Sequence, residues 1–433
     1  MSKIDWVTID TTSGASGETI VNIMPDFNLT SSDRSMMLKV STGLNGIEKD
    51  VNIFQSSIPD NVIVYKASEK LPEWSGTTNP PFNSSYLMLN NFTPKLASSG
   101  HSFSNGIGIL TFDSPVTKVG DTLLYYSISC AAFLKCHNVT EIVFPKSVTD
   151  FTSFAVSEAA ITSIEIPDST QRLGTQAFYG CSGVTSLKIG SGLRYIDENS
   201  AFNSCNNLET ITVSPNNQFY NDGDGSNCLI SGTTIVLGAK NSVIPSGITI
   251  IYNNAFYQRY SGPLTLNNCE SIRNYAFGSS NVTILSTDAI DIWEGAFRGC
   301  ENLTSVNLSR CVSLGNYAFG ECTGLASLTL PNSLGNIGTY CFENCTGLAS
   351  IVIPDRVGTI DLRTFRGCTS LTSVTIGSGV SRLTTYAFEG CTNLNDINYN
   401  GTMSQWSQIT KDTYWAYTVP ATVVHCTDGD VPI

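Results

Sequence analysis

Residues 371–391 read LTSVTIGSGVSRLTTYAFEGC, and residues 348–368 read LASIVIPDRVGTIDLRTFRGC, the same sentence written 23 residues earlier. In the later copy Val374 and Ile376 alternate with Thr375, which is the pattern of a strand with one buried face. A turn follows, Gly377-Ser378-Gly379 here and Pro354-Asp355 in the earlier copy. Val380 and Leu383 come next inward, a helical or 3₁₀ turn is expected to carry Ala387-Phe388, and Cys391 closes the unit. No segment this short can bury its apolar side alone, so neighbouring units must stack to share a core.

Working outward, phenylalanine keeps the period. Phe133, Phe154, Phe178, Phe202, Phe256, Phe277, Phe297, Phe319, Phe342, Phe365 and Phe388 recur at 20–24 residues, apart from one gap of 54. The fold class this predicts is mainly β: a leucine-rich-repeat solenoid with a parallel sheet and short helical or 3₁₀ turns. Roughly a dozen coils at about 4.8 Å apart make a sheet on the order of 50–60 Å long. Eight of the 14 cysteines lie three residues after one of these phenylalanines, which makes them a repeat position. Ser157, Arg259 and Ser280 stand in for cysteine after Phe154, Phe256 and Phe277. The cysteines have no paired Cys-x-x-Cys spacing for zinc, and stacked side chains pointing the same way oppose bridging, so a buried ladder of reduced thiols is expected.

The repeats span residues 128–392. The long gap is read as a coil enlarged by a β-hairpin around 214–240 that projects from the stack. Residues 1–57 lack the repeat and read as alternating strands beginning at Trp6, Thr19, Met36 and Val51, a small antiparallel β-sandwich preceding the solenoid. Residues 58–127 form a lead-in or capping module. Residues 393–433 carry Trp406, Tyr414, Trp415 and Tyr417 and form the C-terminal cap that an exposed last coil requires.

The chain has 433 residues with a net charge of -13. Its 23 Lys and Arg are scattered, which argues against nucleic acid and against anionic membrane surfaces. No apolar run is long enough to span a bilayer. The opening MSKIDWVTIDTTSG has no apolar segment of the signal-peptide kind, an expectation that favours a particle component over an exported protein.

The unit LxSxxIPxxVxxIxxxAFxxC resembles the BspA-like leucine-rich repeats of gut and oral bacteria, their phages and some protists. The lead-in GIGILTFDSPVTKVGD and the ending NYNGTMSQWSQITK…VVHCTDGD are similar to segments that begin and end such arrays. The N-terminal piece, with Arg34 before one strand and Gln55 closing the last, resembles the second half of a BACON-type immunoglobulin-like domain. These resemblances imply adhesion or ligand capture, carbohydrate or mucin binding, and occurrence in phage structural proteins. They carry no catalytic residues.

No enzyme, cofactor or metal is expected from the residues. His101, His137 and His425 are far apart, and adjacent His425 and Cys426 on a strand point to opposite faces. Asp222-Gly-Asp224-Gly-Ser226-Asn227 opens like a calcium loop, but Thr233 holds the position where the bidentate carboxylate belongs, so a hairpin turn is expected. Asn-x-Ser/Thr triplets such as Asn138-Val139-Thr140 follow from composition, and no carboxylate pair stands out among 36 acids. Two outward rows remain. One is small and polar: Thr304, Ser305, Ser327, Thr329, Ser350, Thr372, Ser373 and Thr375. The other is Tyr275, Tyr317, Tyr340 and Tyr386, each two residues before a phenylalanine. The first is either a face for a glycan or protein or plain solvated surface; the second either stacks sugars or protein groups, or packs neighbouring coils. The expected role is a non-enzymatic recognition or structural protein of a bacteriophage particle, partnered by other virion proteins or a host-surface protein or glycan, with homo-oligomers compatible. The alternative is a secreted or cell-surface adhesin, and a carbohydrate-active enzyme comes last.

Overall fold

The computed structural model describes residues 7–13, 19–25, 34–41, 48–55, 60, 62–71, 73–74, 86–88, 92–93, 96–105, 107–120, 132–197 and 200–433. The repeating coil has three sides. On the first, Ser373–Ile376 pairs in parallel with Ser350–Ile353 before it and Asp396–Tyr399 after it. Val374 and Ile376 are buried while Ser373 and Thr375 face outward, as the alternation requires. The same side runs through Ser163–Ile166, Ser186–Ile189 and Thr210–Val213, and again through Ser261–Leu266, Asn281–Thr287, Ser305–Leu308 and Ser327–Thr329. The second side is a ladder of two-residue strands, such as Ser271–Ile272, Asp291–Ile292, Ser313–Leu314 and Asn336–Ile337, each burying one aliphatic residue.

The third side is the phenylalanine turn. The Phe342 N–H donates to the Thr364 carbonyl, Phe365 to Ala387, and Phe388 to Trp415, so backbone hydrogen bonds continue around the corner. The expected helical turn is a chain of i→i+3 turns: Ala387 N–H to Thr384, Glu389 to Tyr386, Cys391 to Phe388. It does not run on as a helix because Tyr386 between them has φ 63, and a left-handed residue ends a right-handed helix. The one α-helix among the described residues is Met403–Gln408, started by a capping box of Thr402 and Gln405.

Inside, the phenyl rings stack coil on coil. From Phe256 through Phe277, Phe297, Phe319, Phe342 and Phe365 to Phe388 every neighbouring pair is parallel within 9°, with centroids 5.0–5.8 Å apart. Trp415 ends the stack edge-on against Phe388 and packs on Trp406, so the cap closes the core with aromatic rings.

One assignment of the period is corrected. Val156, not Phe154, holds the ladder position: its N–H donates to Ala177 as Phe133 donates to Ala155 and Phe178 to Ala201. Phe154 sits two residues earlier with φ 56, in the position that tyrosine fills in later coils. The aromatic stack therefore detours through Phe144 and Phe151, whose ring lies 5.2 Å from Phe178 and occupies the room a smaller Val156 leaves. Ala159, rather than Ser157, accordingly takes the cysteine position.

All 13 described cysteines are free, and only Cys426 is not fully buried. The ladder thiols each donate to the carbonyl of the ladder residue one coil back: Cys300 to Phe277 at 3.1 Å, Cys345 to Phe319 at 3.1 Å, Cys391 to Phe365 at 3.1 Å. Ser280 does the same to Phe256 at 2.7 Å. Cysteine recurs because it is small, apolar and still a weak donor.

The enlarged coil does form a hairpin, Cys228–Ser231 against Thr234–Gly238, but it does not project. Thr234–Gly238 continues in parallel to Ile250–Ile251, and Leu229, Ile230, Ile235 and Leu237 are buried. Gly238 holds the ladder position here, and a Cβ would lie 1.8 Å from the Phe256 ring. Buried Arg259 fills the remaining space. Its guanidinium donates to the carbonyls of Gly238 (3.0 Å), Asn254 (3.0 Å), Ala255 (3.1 Å) and Phe202 (3.5 Å). It thus does the cysteine's work with a longer reach, at the place where the two large apolar clusters of the solenoid meet.

At the start of the array Val62–Ala67 pairs antiparallel with both Ile107–Phe112 and Val139–Val143, covering the first coil. The expected boundary at 127–128 lies outside the described residues. Upstream, Val7–Ser13 pairs with Thr19–Pro25 and Arg34–Ser41 with Glu48–Gln55, two antiparallel hairpins. Trp6, and the packing that would make a sandwich of residues 1–57, lie outside the described residues.

Candidate functional site

The hydroxyl row divides into two kinds of residue. Thr304 and Thr372 stand just before their strands, and each donates its hydroxyl to the previous coil, Thr304 to Thr283 (3.0 Å) and Thr372 to Ala349 (3.1 Å). Thr162 and Thr185 do likewise, so this position ties coils together. The others form two outward lanes. Ser305 pairs with Ser327, and Ser350 with Ser373; Asn307 pairs with Thr329, and Val352 with Thr375 and then Asn398. Exposed Ile284 and Val352 interrupt the lanes, so the surface mixes hydroxyls and aliphatic patches.

The tyrosine row lies on the rim of the phenylalanine turn, in left-handed backbone: φ is 53 at Tyr275, 55 at Tyr317, 59 at Tyr340 and 63 at Tyr386. All four are half-buried, and they are joined by charge. Tyr317 stacks on Tyr340 with centroids 4.6 Å apart, and Tyr386 stacks on exposed Tyr414 at 5.6 Å. Arg298 lies 4.6 Å over Tyr317, and Arg363 lies between Tyr340 and Tyr386 at 5.8 and 5.4 Å. The arginines are in turn held by acids: Arg298 by Glu321 at 2.7 Å, Arg366 by Glu343 at 2.9 Å and Glu389 at 2.8 Å. The hydrogen bonds that Arg298 donates to Glu321, and Arg366 to Glu343, push both guanidinium groups further up. Burial, then the Glu294 carboxylate beside it, pushes the Tyr275 phenol up. The row therefore packs coil against coil over most of its length and opens outward only at Tyr414 and Tyr417.

A groove on the second side was not anticipated. The residue following each two-residue strand forms a column, Tyr252, Arg273, Trp293, Gly315, Gly338, in which each N–H donates to the aliphatic residue one coil back. Arg273 lies 4.1 Å over the Trp293 ring, and Trp293 is 41% exposed. On one side of this pair is a cavity of about 230 Å³ lined by Tyr220, Ser231, Thr234, Val236, Ile250 and Tyr252. On the other is an open slot of about 500 Å³ lined by Asn274, Asp291, Trp293, Glu294, Ser313, Gly315 and Asn316. The column changes residue at each coil up to Gly315, so it has no periodic signature. Its one signal was an aromatic followed by two glycines at the same register.

Elsewhere, His425 Nδ1 is hydrogen-bonded to Asp430 at 2.8 Å, and Nε2 lies 3.8 Å from Asp396. The Asp222 carboxylate accepts from the Val213 N–H (3.2 Å) and the Gly225 N–H (3.4 Å), so it organises the turn. Among the described residues no group of three or more His, Cys, Asp or Glu is placed to hold a metal. No helix among them is long and apolar enough to cross a membrane.

Stacked parallel coils with an inward leucine, phenylalanine and cysteine at fixed register define a leucine-rich-repeat solenoid. The BspA type leucine rich repeat region matches in 6 copies over residues 101–235, 237–313 and 290–413, and the chain belongs to that family. None of the curated proteins matches the chain. Among solved structures it is similar to a leucine-rich repeat protein from Bacteroides ovatus, at 18% identity and TM-score 0.45, covering 99% of this chain and 100% of that one. It is also similar to a leucine rich cell surface protein from Faecalibacterium prausnitzii, at 25% identity and TM-score 0.37, covering 69% of this chain and 61% of that one. A leucine-rich repeat protein from Eubacterium ventriosum matches at 20% identity and TM-score 0.44, over 64% of this chain and 81% of that one.

Proposed function

We propose that the chain is a non-enzymatic recognition protein that presents the solenoid's outward faces to a host-surface or mucin glycan or protein, as a component of a bacteriophage particle. The observation that carries the recognition reading is the outward repetition of chemistry at coil spacing, with the hydroxyl lanes in strand register. Repeated weak contacts on one rigid face add up through effective concentration. The ladder thiols and Arg259, whose ionisation burial displaces, are committed to core carbonyls. The particle reading is supported by the resemblance of the N-terminal strands to BACON-type domains together with the repeat family. Mass spectrometry of purified particles tests it: the chain is expected at a fixed ratio to the major structural proteins. Recovery of the chain only from bacterial envelopes would replace it with the second reading, a cell-surface adhesin.

A further inference from the structure

We propose that the slot beside Trp293 is a carbohydrate subsite that seats one neutral pyranose ring against the indole; this rests on the recognition reading and narrows it. Within the coil order, Arg273 precedes Trp293 and Gly315 follows it. The guanidinium, 4.1 Å from the indole centroid, covers one face of the ring and fixes its tilt. Trp293 lines the slot together with Gly315 of the next coil, which has no side chain. The slot is therefore open next to an exposed aromatic plane. At Gly315 the backbone packs so closely that an added Cβ would lie 2.6 Å from the backbone of Trp293 and Glu294, so the opening is fixed by the main chain.

The lining suits a sugar. A pyranose offers an apolar C–H face to the indole and hydroxyls, both donors and acceptors, around its edge. Asn316 Oδ1 is held by the Thr339 N–H at 3.0 Å, which orients its amide nitrogen as a fixed donor. Glu294 is positioned by the Tyr275 hydroxyl at 3.2 Å and presents acceptors at the rim. The two titratable side chains lining the slot, Asp291 and Glu294, are both carboxylic acids, so uronates and sialylated sugars are disfavoured by like charge. The volume, about 500 Å³, is that of a small-molecule site and not of a protein footprint.

Isothermal titration of the full chain tests this with neutral hexasaccharides of glucose, galactose, mannose, xylose and N-acetylglucosamine, with hexagalacturonate, and with hexalysine. At least one neutral series is expected to bind. Trp293→Ala should weaken it by on the order of tenfold or more, and Ser313→Tyr, which fills the slot and keeps the indole, should do the same. Both variants should retain the parent thermal midpoint, and if Trp293→Ala does not, Ser313→Tyr decides. No neutral saccharide binding, binding unchanged in both variants, or preference for hexagalacturonate or hexalysine overturns the proposal. Wild-type binding to intact host cells that survives in Trp293→Ala, with no saccharide bound, removes the slot and leaves the recognition reading in place.

Discussion

Arg259 is the strut at which the account of stability can be tested most severely. Its side chain is 3% exposed, has no carboxylate partner within reach among the described residues, and makes its four hydrogen bonds to backbone carbonyls. Burial pushes the guanidinium down to about 10, so it stays charged at neutral pH and is held there against its own desolvation. Charged hydrogen bonds contribute roughly 1.5–3 kcal/mol each, against several kcal/mol for taking the ion out of water. Arg259→Ala removes the donors, leaves a void between Phe202 and Phe256, and should destabilise by about 3–5 kcal/mol. Arg259→Met fills the space and removes the buried charge but leaves the Gly238 carbonyl without its donor, so a smaller loss of about 1–3 kcal/mol is expected. The two apolar clusters meet here, and a solenoid unfolds as neighbouring coils coupled at their interfaces. Urea unfolding of Arg259→Ala should therefore split into two transitions, with hydrogen exchange rising first in residues 228–259. A single transition within about 0.5 kcal/mol of the parent would refute the strut.

Three further outcomes follow from the core. Val156→Phe, which restores the sequence consensus, should destabilise by about 1–3 kcal/mol because Phe151 already fills that space; a gain in thermal midpoint would show the register assignment to be wrong. Iodoacetamide at pH 8 should label Cys426 in the native chain, with labelling of the other described cysteines appearing only in denaturant, as peptide mapping will show. Burial pushes the Cys205, Cys269, Cys300, Cys311 and Cys345 thiols up to about 12. The fold thus holds these protons more tightly than the unfolded chain does. Their contribution is complete below about pH 9 and falls by roughly 1.4 kcal/mol per thiol for each pH unit above that. Urea midpoints should drop between pH 8 and pH 10, and drop less in a Cys300→Ala, Cys345→Ala double variant; equal drops would contradict the linkage.

The architecture was legible because its signal is repeated. Phe342, Phe365 and Phe388 recur at one spacing because each must meet the ring before it, and Cys345, Cys368 and Cys391 recur because each thiol serves the same carbonyl. The reading failed where one coil solves the same packing problem differently. Phe154 matched the period by residue type but not by register, since Phe151 supplies the ring from another side of the coil. The hairpin was expected outside the stack because alternation at Ile230 and Ile235 does not reveal that its second strand joins the ladder. In the two surface rows, what each side chain does depends on the neighbouring coil. Thr304 and Thr372 look like the other outward hydroxyls in sequence, yet they spend theirs on the coil before. Tyr317 and Tyr340 are recognisable as a row, but the arginines that cover them come from neighbouring coils. No other tryptophan stands at the register of Trp293, and a periodic reading passes over a residue that occurs once.

The central claim is recognition without turnover. Its most direct measurement is saturable binding of the full chain to immobilised mucin O-glycans or host envelope polysaccharide, with the eluted saccharide then sized by chromatography. A saturable isotherm with saccharide recovered at its original length is the predicted result. Shortened products, or no saturable binding to any such surface, would contradict it.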